Sequence, residues 1–302
     1  MEQSSVFDVI IIGGSYAGLS AAMALGRSLK KVLVVDSGEP CNKPTPHSHN
    51  FLTQDGKTPS EISSIAQQQV SQYKTVHFYT DVVIEGKKTA EGFEISTQSG
   101  ERFEGKKLIF ATGVKDNIPN IPGFSECWGK TVIHCPYCHG YEFKGKKTGV
   151  WGHVERAFHL AGLVNNLTDD LTLLPHGEDQ LTVDQAKKLQ QHNIKIEEGE
   201  IHKIEHKNGN ITHIVLKNGK KLLFDALYAA IPFEQHCKTP ETLGCELTEQ
   251  GYLKIDGLQR TTVQGIYACG DNTSPMRSVA NAVQQGNFAG AVVNKELTEE
   301  TF

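Results

Sequence analysis

The sequence predicts an α/β protein made of two Rossmann-like, three-layer dinucleotide-binding domains. Two observations carry that prediction. A strand–glycine–helix–strand pattern occupies Val6 to Asp36, and a second pattern of the same kind begins at Lys147. The length of 302 residues also exceeds what one hydrophobic core usually supports, so two domains are expected.

The first pattern starts with Val6-Phe7-Asp8-Val9-Ile10-Ile11-Ile12, a mostly apolar run of strand length that stops at Gly13-Gly14, as a buried parallel strand would. A helix follows in Ala17–Gly26, whose small residues let it lie close on a sheet, and Lys31 to Asp36 reads as the next strand. The turn Gly13-Gly14-Ser15-Tyr16-Ala17-Gly18 departs from G-x-G-x-x-G only at Ser15, a residue small enough to let backbone N–H groups approach a pyrophosphate. Asp36 ends the second strand, where a carboxylate accepts hydrogen bonds from ribose hydroxyls, so turn and acid together point to an adenine dinucleotide. Further on, Lys107 to Phe110 is an apolar strand leading into Ala111-Thr112-Gly113. The second pattern has Lys147 to Gly152 as its strand, Val154 to Leu167 as its helix and Leu171 to Leu174 as the next strand. A last strand reaches Gly270-Asp271, a helix should start near Ser278, and Ala280 to Asn294 reads as a small-residue helix.

Between the two patterns lies Cys135-Pro136-Tyr137-Cys138, flanked by His134 and His139. Two thiols at this spacing can close a small disulfide, and in such motifs one thiol pKa falls from about 8.5 toward roughly 7, which brings thiolate within reach at neutral pH. The same letters also read as c-type haem attachment or as half a zinc site. Haem attachment would suit an exported chain, but Met1 to Ser15 has no basic segment before its short apolar run. Zinc would need a second half-site, and Cys41, Cys127, Cys237, Cys245 and Cys269 are scattered singly, as buried structural cysteines are. Redox exchange is the reading that remains. His139, next to the second cysteine, can take a thiol proton or steady a thiolate, whereas His134 reads as structural.

Composition narrows the class. Charged residues make up 22% of the chain and the formal net charge is −5, which argues against a nucleic-acid surface. No apolar run is long enough to cross a bilayer, and seven cysteines in so long a chain do not make a secreted disulfide scaffold, so a cytoplasmic enzyme is expected.

Taken together, Gly13 to Gly18, Asp36-Ser37-Gly38-Glu39-Pro40 leading to His49-Asn50-Phe51-Leu52, Ala111-Thr112-Gly113, the C-x-x-C and Gly265 to Asp271 resemble the low-molecular-weight thioredoxin reductase family over nearly the whole chain. Within it, Cys138-His139-Gly140-Tyr141-Glu142 resembles the branch of gliotoxin-type dithiol oxidases, which place histidine where thioredoxin reductases carry an aspartate. The resemblance implies FAD as cofactor, with Asp271 of the Gly270-Asp271 pair holding the flavin's ribityl chain. It also implies that the second domain is inserted in the first, giving residues 1–116 and 245–302 for FAD and 117–244 for the NAD(P)H-like domain that carries the cysteines. Cys138 falls on the flavin side and Cys135 exchanges with substrate, and a homodimer is implied.

The inserted domain departs from the family at two places. Its phosphate turn is Gly152-His153-Val154-Glu155-Arg156-Ala157, so side chains at His153 and Val154 would crowd a pyrophosphate that needs bare backbone. After the next strand the family's NADPH users carry a basic cluster for the 2′-phosphate, and here stand Pro175-His176-Gly177-Glu178-Asp179, whose acids would repel it. Tight NADPH binding is therefore not expected. Electrons then follow one of two routes. A dithiol reduces the cysteine pair and dioxygen reoxidises the flavin, or a donor such as NAD(P)H or ferredoxin reduces the flavin and the pair opens the disulfide of a small molecule or thioredoxin-like protein. A flavoprotein redox sensor without turnover is the competing class.

Overall fold

Buried at Val9, Ile10 and Ile11, the run Phe7–Ile12 is an inner strand of a seven-stranded sheet in a computed structural model that describes residues 6–302. Strand order across that sheet is Val76–Thr80, Val32–Asp36, Phe7–Ile12, Arg102–Phe110, Phe93–Thr97 and Val83–Lys88, with Ile266–Ala268 pairing on the second half of Arg102–Phe110. The strands that build the predicted pattern are parallel, while Val83–Lys88 and Phe93–Thr97 add an antiparallel flank.

Helix Tyr16–Arg27 covers this sheet, and helix Val279–Glu299 packs on the helix rather than on the strands alone. Small residues allow it. A Cβ at Gly286 would stand 2.0 Å from the Ala17 carbonyl oxygen, so the two backbones meet where a side chain would separate them. Ser20 Oγ donates to the Val283 carbonyl at 2.7 Å across the same seam. The seam closes a cluster of Val9, Ile11, Leu25, Val34, Ile109 and Val293.

The second sheet has five parallel strands in the order Lys195–Ile196, Leu171–His176, Thr148–His153, Ala226–Ala230 and Val132–Ile133. Helix Val154–Val164 packs on it through Ala157, Leu160, Ala161 and Val164. It stops at Asn165, short of the predicted Leu167. A three-stranded antiparallel sheet, Ile201–Lys207, Asn210–Leu216 and Lys221–Leu222, completes this part.

The chain divides into a first unit of Met1–Lys43, Phe51–Lys115 and Glu234–Phe302, whose first five residues lie outside the described ones, and a second unit of Pro44–Asn50 and Asp116–Phe233. The return to the first unit thus falls at 233/234, before the 244/245 join read from the sequence. Its reason is packing: Gln235 Nε2 donates to the Gly251 and Asn272 carbonyls, and Cys237, Leu243 and Cys245 join the core around Ile10 and Leu108. No described helix is long and apolar enough to cross a membrane.

Candidate functional site

In the first unit, the glycine turn is shaped by close approach. Gly13 has φ +102°, in the region that favours glycine, and a Cβ there would lie 2.3 Å from the Ala111 carbonyl oxygen. At Gly18 a Cβ would lie 1.8 Å from the Gly13 carbonyl oxygen, so the turn folds bare against itself and against the end of strand Arg102–Phe110. Ser15 caps helix Tyr16–Arg27 without a side-chain bond, and the first turn carries no acidic residue. The helix end therefore presents its positive pole and backbone donors to an anion.

Asp36 is held beside that turn. Its Oδ1 accepts from the Gly14 N–H at 2.7 Å and its Oδ2 from the Gly38 N–H at 3.0 Å. Each carboxylate oxygen keeps a further lone pair, so the two bonds aim the group without exhausting it. On the opposite side, Gly270 N–H donates to Gln285 Oε1 at 2.7 Å, and a Cβ at Gly270 would touch that of Ala17 at 3.1 Å. Asp271 Oδ2 lies 3.6 Å from Arg277 Nε, with both side chains mostly buried. Gly113, just past Ala111 and Thr112, has φ +62° and open space where a Cβ would be.

The predicted residues Gly13, Gly14, Ser15, Ala17, Gly18, Asp36, Ala111, Thr112, Gly113, Gly270 and Asp271 thus share one end of the first sheet. Sequence reasoning passed over Asn272 and Gln285. Fully buried Asn272 donates through Nδ2 to the Phe110 carbonyl at 2.9 Å and reaches Thr112 Oγ1 at 3.4 Å, while its Oδ1 has no partner among the described residues. A buried acceptor left open costs about 1–3 kcal/mol unless a donor arrives. Bare backbone, a held carboxylate and an open buried acceptor together fit an adenine dinucleotide such as FAD.

The cysteines lie in the second unit, at the end of strand Val132–Ile133. Cys135 caps a single helical turn, Pro136–His139, and its Sγ accepts from the Cys138 N–H at 3.2 Å. Both cysteines are half-buried, while Tyr137 between them and Tyr141 just beyond are exposed. The other thiols divide by environment: burial pushes Cys127 up to about 11, Cys269 up to about 12 and Cys245 upward, so these stay protonated and inert. Cys41 is exposed, in contrast to the buried structural role its isolation suggested.

His139 lies among groups that tune it. Burial lowers its pKa below the ordinary value, with the Glu142 carboxylate pulling it back up and His49 adding to the lowering. His49 comes from the Pro44–Asn50 segment, and its Nε2 lies 3.4 Å from Glu142 Oε1. That placement gives His49 and Glu142 a shared position beside His139 that the sequence did not show. His134 stacks its ring on Trp128 at 5.9 Å, in keeping with a structural role.

At the carboxyl end of the second sheet the expected crowding changes character. Val154 is buried on the inner face of its helix and does not obstruct the turn, because the helix begins at that residue. Rings occupy the edge instead. His153 and His176 are neighbours in the parallel register, 5.5 Å apart, and His176 lies 5.0 Å from Trp151. Gly177, at φ +102°, passes so near His153 that a Cβ would lie 2.8 Å from its Nδ1. Glu178 and Asp179 follow, both exposed.

Comparison with known proteins adds to this geometry. A profile of the family described as pyridine nucleotide-disulphide oxidoreductase matches residues 7–286. The chain is 33% identical over 312 residues to the thioredoxin reductase tcpT of Claviceps purpurea, spanning 98% of this chain and 96% of that one. It is 26% identical to the thioredoxin reductase of Bacillus subtilis, over 99% and 97% of the two. Among solved structures, an oxidoreductase from Agrobacterium tumefaciens superposes with a TM-score of 0.92 at 38% identity, covering 98% of this chain and 99% of that one.

Proposed function

Since this chain belongs to the pyridine nucleotide-disulphide oxidoreductase family and is an FAD-dependent enzyme of the thioredoxin reductase-like kind, we propose that it exchanges electrons with dithiols through Cys135 and Cys138 and does not depend on tightly bound NADPH. FAD, when bound, supplies the two-electron store that the cysteine pair fills or draws on. Gly13 to Gly18 and the N-terminus of helix Tyr16–Arg27 would hold its pyrophosphate, Asp36 its ribose and Asp271 its ribityl chain.

The chain's own chemistry is thiol–disulfide exchange. A substrate thiolate attacks Cys135 Sγ of the Cys135–Cys138 disulfide, one S–S bond forms as another breaks, and Cys138 leaves as thiolate. The substrate's second thiolate then displaces Cys135, so the substrate leaves as a disulfide and two electrons remain on the cysteine pair. His139, biased toward its neutral form by burial, accepts the proton that the substrate thiol must lose. Run backwards, the same steps reduce a disulfide.

The observation that carries the choice of donor is the edge of the second sheet, where the rings of His153, His176 and Trp151 stand with Glu178 and Asp179 after them. A dinucleotide phosphate needs bare backbone and positive charge at such an edge. Anaerobic stopped-flow mixing of the yellow protein with NADPH, NADH or a dithiol, followed by oxygen, tests the reading. The expected result is flavin bleaching by the dithiol at least about a hundredfold faster than by either nicotinamide, a gap of roughly 2.7 kcal/mol, with oxygen restoring the colour. Fast bleaching by NADPH or NADH would make the chain a nicotinamide-dependent disulfide reductase, and two of its relatives are named thioredoxin reductase.

A further inference from the structure

Among the described residues, those that helix Val279–Glu299 buries are small or apolar except at Gln285. A glutamine only 8% exposed gives up water and needs partners inside the fold. Its Oε1 finds two. Gly270 N–H donates to it at 2.7 Å, and Thr273 Oγ1 lies 3.0 Å away. A backbone N–H only donates, so the amide must turn its oxygen, not its nitrogen, to this place.

Those two donors begin and end one turn. Gly270, Asp271, Asn272 and Thr273 follow strand Ile266–Ala268, and Thr273 N–H donates back to the Gly270 carbonyl at 3.0 Å. Between the ends Asn272 is held twice, its side chain on the Phe110 carbonyl and its own carbonyl accepting from Leu253 N–H and Gln235 Nε2. Gly270 has φ +92°, and a Cβ there would lie 3.1 Å from that of Ala17, so the turn starts pressed against helix Tyr16–Arg27. Gripped at its first, third and fourth residues, the turn fixes the direction of its second, Asp271. Gln285 comes within reach because bare Gly286 lets the C-terminal helix approach the Ala17 carbonyl.

We propose that Gln285 is a positioning residue: by holding Gly270 and Thr273 it aims the Asp271 carboxylate at the ribityl chain of FAD. The inference rests on the reading that Asp271 holds that chain. It gives a role to a side chain that no motif marks, in a helix otherwise built for close packing.

The test is equilibrium dialysis of the full-length holoprotein against graded FAD, with and without competing ADP, whose own affinity follows from the FAD it displaces. ADP offers pyrophosphate to Gly13–Gly18 and ribose to Asp36 but has no ribityl chain. Gln285→Met should weaken FAD binding about tenfold, the size expected when a buried N–H loses its acceptor, and leave ADP unchanged. Asp271→Ala should act in the same direction, and adding Gln285→Met to it should cost no further factor, because a positioning residue works through the group it aims. Equal losses for FAD and ADP, an unaltered FAD affinity in Gln285→Met, or effects that multiply in the double variant would overturn the proposal. Should Gln285→Met not accumulate as folded protein, Thr273→Val, which removes one of the amide's two partners, decides by the same comparison. If Asp271→Ala keeps the parental FAD affinity, the premise about the ribityl chain fails, whatever Gln285→Met does.

Discussion

At the scale of single residues, the proposed mechanism makes His139 the group that sets how the reaction depends on pH. Burial depresses its folded pKa below the ordinary imidazole value, so it is neutral near pH 7 and becomes a cation only at more acid pH. A neutral imidazole accepts the thiol proton and an imidazolium does not. The rate of dithiol-driven flavin reduction should therefore hold as pH falls through the ordinary imidazole range and drop only at more acid pH, and His139→Gln should lose about a hundredfold together with that acid limb. A pre-steady-state pH profile of the two proteins checks both. Cys138→Ser should abolish flavin–thiol transfer while leaving bound flavin intact, and retained dithiol bleaching in it would contradict the mechanism. The cysteines and His139 were legible because their meaning lies in adjacent letters. Asn272 and the His49–Glu142 pair were not, since each acquires its place from a neighbour far along the chain.

Elements show a similar division. Strand Phe7–Ile12, its glycine turn and helix Tyr16–Arg27 were readable from one continuous pattern of apolar run, small turn and small-residue helix. Helix Pro59–Val70 was missed, although Thr58 and Glu61 form a capping box at its start, because its interior is mostly serine and glutamine with few apolar positions. The antiparallel strands of both units were likewise unread, being partly exposed and interrupted by polar and charged residues. The crowding attributed to Val154 shows the limit of reading letters in a row, since the helix was read as starting at that residue but the letters did not show that its first side chain turns inward. Packing between helices gives a test at this scale. Gly286→Ala should gain about 1 kcal/mol in helix propensity, yet a Cβ 2.0 Å from the Ala17 carbonyl forces the two helices apart. Overpacking of this kind costs about 1–3 kcal/mol, so urea unfolding should show a net loss, and a stabilised variant would mean the seam is looser than described.

For the molecule as a whole, the first unit is assembled from three stretches of chain and the second from two. The insertion itself was visible only through resemblance, because no pattern within one stretch announces that a later stretch returns to an earlier core. Strand Ile266–Ala268 and helix Val279–Glu299 complete the first sheet and its cover. Removing residues 279–302 should leave Val9, Leu25 and Ile109 without part of their apolar covering, and the truncated protein should be recovered without flavin or not at all. Flavin content at the level of the full chain would show that the helix is dispensable.

The seam between Ser20 and Val283 also sets a schedule. The two residues are 263 positions apart, and at synthesis rates of about 5–20 residues per second the ribosome needs roughly 13–50 s to travel from one to the other. For that interval the opening strand and helix are already made but lack their cover, and their apolar faces are open to chaperones. Maturation of the nucleotide cradle therefore waits until Val283 has been made, and any pause between the two residues prolongs the time this chain spends exposed.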